Sequence, residues 1–270
     1  LGHTNVSDMQ SITNSGWSTP QEVDLGNHSK ALEISLGGSF TCALLDYGGI
    51  KCWGNNIAGQ LGIGQYPSLE VPSKENLGYS SPQHVKLGVN RTAVEITTGS
   101  GHACAILDDG SVKCWGDNTR GALGLGFFNN SSEWANSPRW NLGSPLPELV
   151  DLGENRTALA ISAGSYHTCA ILDDNSMSCW GDNHFGQLGR NYWSDYSEEQ
   201  INQTSPGIVN FNHNKPVVAI SAGYRNTCAI FNDGVLNCWG INQNGELGLG
   251  FTSSATSAGS APPYTTPQHT

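Results

Sequence analysis

Residues 167–189 read HTCAILDDNSMSCWGDNHFGQLG. Two short apolar runs flank Asp173–Ser176, and Asp and Asn tolerate the positive φ that hairpin turns require. The stretch therefore predicts a β-hairpin, with Cys169 and Cys179 facing each other across it. Opposed residues in a non-hydrogen-bonded pair come close enough for a disulfide. All eight cysteines fall in such pairs, ten residues apart: Cys42–Cys52, Cys104–Cys114, Cys169–Cys179 and Cys228–Cys238. Free buried thiols are the bland alternative. Zinc is a weaker one, because its sites favour C-x₂₋₄-C knuckles. His102 and His167 precede a Cys by two residues, but Phe40 and Asn226 hold that place in the other copies. They are read as surface or packing residues.

The hairpin belongs to a longer unit that occurs four times. Its cores span residues 31–64, 93–126, 158–190 and 217–250, in one array over 1–270. The repeated tryptophans, Trp53, Trp115, Trp180 and Trp239, are 62, 65 and 59 residues apart. Connectors at 1–30, 65–92, 127–157, 191–216 and 251–270 are rich in Ser, Asn, Pro and aromatics. Most end in a short extended phrase: PQEVDLG from Pro20, PQHVKLG from Pro82, PELVDLG from Pro147 and, degenerate, PGIVNF from Pro206. That phrase, A-x-x-I, T-C-A-I-L and V-K-C-W give four strands per unit, in that order. Such units suggest propeller blades.

Across the four cores the segment from the Trp keeps the spacing W-G-x-N-x-x-G-x-L-G. With H-T-C-A-I-L-D-D-x-S-x-x-C-W-G-D-N in the third copy, it resembles the RCC1 repeat. The resemblance implies an all-β fold of RCC1-like β-propeller blades, usually seven to a ring, used as a binding platform. Family members serve as nucleotide exchange factors, enzyme inhibitors, receptor ectodomains or extracellular modules. No exchange-factor wedge matches any segment here. Four copies fall short of seven, which would need roughly 430 residues at this period. Leu1–Gly2 resembles the end of G-x-L-G, and the last residues, TPQHT, resemble the start of a P-x-x-V strand. Partial repeats are thus expected at both ends, from a longer chain, from blades completed by neighbours, or from an open superhelix instead of a closed propeller.

Four disulfides imply an oxidising compartment, hence a secreted or cell-surface protein. Seven N-x-S/T sequons agree, at Asn5, Asn27, Asn90, Asn129, Asn130, Asn155 and Asn202. Three of them, Asn27, Asn90 and Asn155, precede A-x-x-I at nearly the same point of the repeat, where a turn would expose a glycan. The net charge of −11 opposes nucleic-acid binding, which needs surplus Lys and Arg. No run approaches the ~18 apolar residues of a membrane span.

No enzyme motif is present, so no catalytic residue, metal or cofactor is expected. GNNIAG at Gly54 lacks the Lys and Ser/Thr of a phosphate loop. Asp108–Asp109 and Asp173–Asp174 read as turn residues. The core tryptophans read as blade packing. Connector aromatics either cover blade edges or are candidate binding residues, above all Trp17, Trp134, Trp140 and Trp193, for a protein or glycan partner. The expected role is an extracellular structural or adhesion glycoprotein, self-associating head to tail as part of a surface filament. A ligand- or receptor-binding ectodomain is the alternative.

Overall fold

The computed structural model describes residues 21–64, 78–128, 143–190, 202–211, 213–252 and 264–269. Every regular element among them is a strand. The first sheet holds β1 (Ala31–Leu36), β2 (Phe40–Leu45), β3 (Ile50–Asn55) and β4 (Gly78–His84). The second holds β5 (Ala93–Thr98), β6 (His102–Leu107), β7 (Val112–Asp117) and β8 (Gly143–Leu149). The third holds β9 (Ala158–Ala163), β10 (His167–Leu172), β11 (Met177–Asp182) and β12 (Asn202–Ile208). The fourth holds β13 (Val217–Ala222), β14 (Asn226–Phe231), β15 (Leu236–Gly240) and β16 (Tyr264–His269). Each is an antiparallel meander in chain order.

The sheets stand as successive blades. β5 lies against β1 and β2, β9 against β5 and β6, and β13 against β9 and β10. The first strand of every sheet is thereby innermost. The middle strands are sandwiched between neighbouring blades, which is why all six residues of HACAIL in β6 and of HTCAIL in β10 are buried.

The order of strands within a unit differs from the sequence expectation. The P-x-x-V phrase does not open its own blade; it closes the preceding one. Gln83 lies opposite Cys52, Glu148 opposite Cys114, Gly207 opposite Cys179 and Gln268 opposite Cys238. Proline lacks an N–H and suits an edge strand, and this strand is the outer edge. Beyond it, Val85, Val150 and Val209 turn inward and are buried between blades. The TPQHT phrase does form part of a strand. Thr266–His269 belong to β16, which completes the fourth sheet. Leu1 and Gly2 lie outside the described residues.

The hairpins form through the same two bonds in each copy. In the second blade Leu107 N–H donates to Ser111 O at 2.8 Å and Gly110 N–H to Leu107 O at 2.9 Å. The third loop residue has positive φ: 76° at Gly48 and Gly110, 62° at Asn175, 83° at Gly234. Asn is among the few side-chain-bearing residues that tolerate this region, so the third blade dispenses with Gly. Asp109 Oδ1 accepts from Ser111 N at 3.0 Å and Oγ at 2.6 Å, and the neighbouring aspartates pair with Arg91. These bonds hold the Asp109 carboxyl below the usual carboxylate range, the Ser111 hydroxyl most of all. The loop sets the register Cys104↔Cys114, and each Cys pair is a disulfide with Cα atoms 4.1 Å apart.

Replacing Cys104 and Cys114 together by Ala removes one short loop closure. Urea unfolding should show a loss of about 2–3 kcal/mol. A change near zero would mean that the bridge adds nothing to a hairpin already fixed by its turn.

Candidate functional site

The chain's most elaborate chemistry lies between blades. Trp115, Trp180 and Trp239 are fully buried. Each indole N–H donates to a carbonyl in the G-x-L-G loop of the blade before: Trp115 to Gln60 at 3.0 Å, Trp180 to Ala122 at 2.9 Å and Trp239 to Gln187 at 2.9 Å. The last glycine of that loop is the ring's seat. A Cβ on Gly62, Gly124 or Gly189 would come within 2.8–2.9 Å of the indole nitrogen.

The same carbonyls take a second donor. Thr168 Oγ1 donates to Ala122 O at 3.0 Å and Thr227 Oγ1 to Gln187 O at 2.8 Å. A carbonyl only accepts, so each hydroxyl proton is committed. The histidine behind each threonine must then be the donor. His102 Nε2–H gives to Thr168 Oγ1 at 2.9 Å, and His167 Nε2–H to Thr227 Oγ1 at 2.8 Å. Nothing accepts a second ring proton from His167, whose Nδ1 is buried without a partner, and burial disfavours the charged form of both imidazoles. Burial depresses the pKa of His102 to about 4 and of His167 to about 3, the latter also through His102. In the first seam an apolar pair replaces the relay: Phe40 and Ala103 share one buried cluster.

Side chains also bridge the innermost strands. Glu33 accepts from Ile96 N at 3.4 Å and Glu95 from Ile161 N at 3.2 Å. Burial raises both carboxyls above the ordinary range, and these backbone bonds partly offset it. Thr97 Oγ1 accepts from Ala163 N at 3.0 Å and Ser162 Oγ from Ala222 N at 2.9 Å. Hairpin carbonyls complete the seam, with Ala93 N–H donating to Gly48 O at 2.8 Å and Ala158 N–H to Gly110 O at 2.8 Å.

The innermost strands end at two chemically different faces. At their C-terminal ends, Leu36–Gly38, Thr98–Ser100, Ala163–Ser165 and Ala222–Tyr224 line a shallow depression of about 320 Å³. Along the strands, Leu32, Val94, Leu159 and Val218 occupy equivalent positions and all are exposed, forming an apolar row on the axial side. At the opposite ends lie the hairpin turns, the ion pairs of Arg91 and Arg156 with their aspartates, and three sequon residues. Asn27, Asn90 and Asn155 are exposed there. Asn202 opens β12 at an outer edge. Asn5, Asn129 and Asn130 lie outside the described residues, as do Trp17, Trp134, Trp140 and Trp193. Among the described residues no group of three or more His, Cys, Asp or Glu is placed to hold a metal ion, and no helix is long and apolar enough to cross a membrane.

Sequence reading missed the relay and the axial row. His102 and His167 are packing residues, buried between blades, and they donate hydrogen bonds there as well. Their signal was present as an offset match: where one repeat has His, the next has Thr, and where Phe40 stands, the next repeat has Ala103.

Four disulfide-clamped, four-stranded blades stacked about one axis define a β-propeller array. The chain belongs to the regulator of chromosome condensation (RCC1) repeat family. One profile of that repeat matches residues 48–106, 109–171 and 176–230, and a second matches 32–60, 93–122, 159–187 and 217–246. Among similar proteins, the ultraviolet-B receptor UVR8 of Arabidopsis thaliana is 26% identical over 289 residues, covering 93% of this chain and 60% of UVR8. A bifunctional serine/threonine-protein kinase and NEDD4-like E3 ubiquitin-protein ligase of Dictyostelium discoideum is 27% identical over 224 residues, 82% of this chain and 11% of that protein. Human WBSCR16 shares the fold with TM-score 0.67 and 19% identity, over 89% of this chain and 52% of that one. Prp20p of Saccharomyces cerevisiae gives 0.66 and 21%, over 89% and 50%. The chain thus spans about half of each of these two structures and 60% or less of the two sequence relatives.

The neutral histidines fix a pH dependence. Above about pH 6.5 neither folded nor unfolded chain protonates them. Below it the unfolded chain takes up protons that the buried rings refuse, so stability falls with pH. The loss runs down to about pH 4 for His102 and about pH 3 for His167. His102→Phe with Thr168→Ala, which copies the first seam, should shallow the stability slope between pH 6 and 4 by about 1.4 kcal/mol per pH unit. An unchanged slope would show that His102 is not neutral in the fold.

Proposed function

We propose that this chain is a non-enzymatic, extracellular protein-binding module, engaging its partner through the axial face and carrying N-linked sugars on the opposite face. The exposed row Leu32, Val94, Leu159 and Val218 carries the reading. Four equivalent apolar side chains along the innermost strands form the kind of surface that marks an interaction site. The four disulfides support an oxidising compartment. Asn27, Asn90 and Asn155 stand at the strand ends remote from the depression, so sugars there leave it open. The net charge of −11 favours a protein over a nucleic acid. Yeast Prp20p, of like fold, is described as having binding properties toward Gsp1p and histones.

A second reading rests on the seams, where each blade is built to receive a like one. It takes the chain as a structural unit whose copies join head to tail, into a filament or a ring.

The first reading is tested on chain secreted from a eukaryotic cell. Glycosidase treatment followed by peptide mass spectrometry should find sugar at Asn27, Asn90 and Asn155. Val94→Asp with Leu159→Asp, at exposed positions, should leave thermal unfolding nearly unchanged and weaken capture of surface-protein partners roughly tenfold or more. Equal capture by the variant would remove the axial face from the reading.

A further inference from the structure

We infer that the rim of the second seam receives a basic side chain, the lysine or arginine of an extended segment of a protein partner. This site is separate from the axial face and from any head-to-tail contact.

The site is a cavity of about 490 Å³ between the second and third blades, within the size range of ligand pockets. Three pieces of chain enclose it. Gly124–Gly126, at the end of the G-x-L-G loop, form one wall. Leu149 and Asp151–Gly153, where the chain leaves β8, form another, and Ser205 and Pro206 of β12 form the third. Leu125 and Leu152 pack against the buried cluster of this seam, which holds the walls in place. Leu149 is 61% exposed and is available to a partner. The lining thus offers aliphatic surface and one carboxylate. Asp151 Oδ1 accepts from Gly153 N at 3.0 Å, and no Lys or Arg among the described residues pairs with that carboxylate. Arg156 is bonded to Asp173 and Asp174, and Arg190 to the carbonyls of Cys179 and Ser205.

The first seam shows what this place accepts. Lys86 stands there where Asp151 stands in the second, and Leu146 stands where Ser205 does. A Cβ on Gly64 would come within 2.9 Å of Leu146 Cδ2 and 3.1 Å of Lys86 Nζ, so an ammonium group already lies over that loop. A Cβ on the equivalent Gly126 would meet only Ser205 Oγ, at 3.5 Å. The place that the first seam fills with its own lysine is open in the second, and its charge is reversed.

A long basic side chain from outside suits both differences. Its stem covers Leu125, Leu149 and Pro206 while its charged head reaches Asp151, since such side chains bury their methylenes and keep the head polar. An acidic side chain would be repelled, and an aliphatic one would gain nothing from the carboxylate. The net charge of −11 draws cationic segments toward the surface.

The test titrates the whole oxidised chain, labelled at its leucine methyl groups, with capped peptides Gly-Ala-X-Ala-Gly in which X is Arg, Lys, norleucine or Glu. The Arg and Lys peptides should move the Leu125, Leu149 and Leu152 signals and bind about fivefold more tightly than the norleucine peptide. The Glu peptide should not bind. Asp151→Asn keeps an acceptor for Gly153 N and removes the charge, so it should weaken the Arg peptide to the norleucine level. Asp151→Lys copies the first seam and should abolish binding. Asp151 is exposed, and thermal unfolding reports that both variants fold. Equal binding of the Arg and norleucine peptides, or equal binding by wild type and Asp151→Asn, overturns the basic occupant. So does the absence of any movement at these leucines under a large excess of peptide. Val94→Asp with Leu159→Asp should bind the Arg peptide as wild type does, so the axial reading can fail while this one stands. Weaker binding by that variant would place the peptide on the axial face and overturn the rim site.

Discussion

The structure depends on one small acceptor. In every internal seam a single carbonyl of the G-x-L-G loop receives the indole N–H of the next blade's tryptophan, and in two of the three it also receives a threonine hydroxyl. Much else follows from satisfying these buried donors. The loop must end in glycine, because any side chain would displace the ring. The threonine proton is committed, so the residue behind it must be a donor or must face no hydroxyl at all. His102 and His167 meet the first condition, and Phe40 with Ala103 meets the second. A buried donor left unpaired costs about 1–3 kcal/mol, which is large beside the net stability of a domain.

The disulfides answer a different constraint. Each clamps the two middle strands of a blade, which lie between neighbours and are nearly fully buried. An oxidised pair offers neighbouring blades an apolar surface with no thiol to satisfy. Cys104 and Cys114 accordingly sit in the same buried cluster as Ile161 and Trp180 of the following blade.

Much of this was legible in the sequence. Ten-residue Cys spacing around Asp-Asp-Gly-Ser specified a hairpin and its register, and fourfold repetition specified blades. The P-x-x-V phrase was assigned to the wrong neighbour, since a strand's partner across a long connector leaves no trace in local pattern. Proline at an edge was the available hint. The site was less legible. Leu32, Val94, Leu159 and Val218 look like core residues in the one-dimensional pattern, and only the stacking of innermost strands turns them outward. His102 and His167 were judged within their own repeats, where they vary, although their partners lie one repeat further on.

All eight cysteines are consumed in bridges that close inside one hairpin, so apart from the backbone nothing covalent ties one blade to another. Cohesion along the array is then a nearest-neighbour property. Within the array each blade is gripped by the blades beside it. Opening should therefore travel in whole-blade steps, with every hairpin still knotted as its blade comes away.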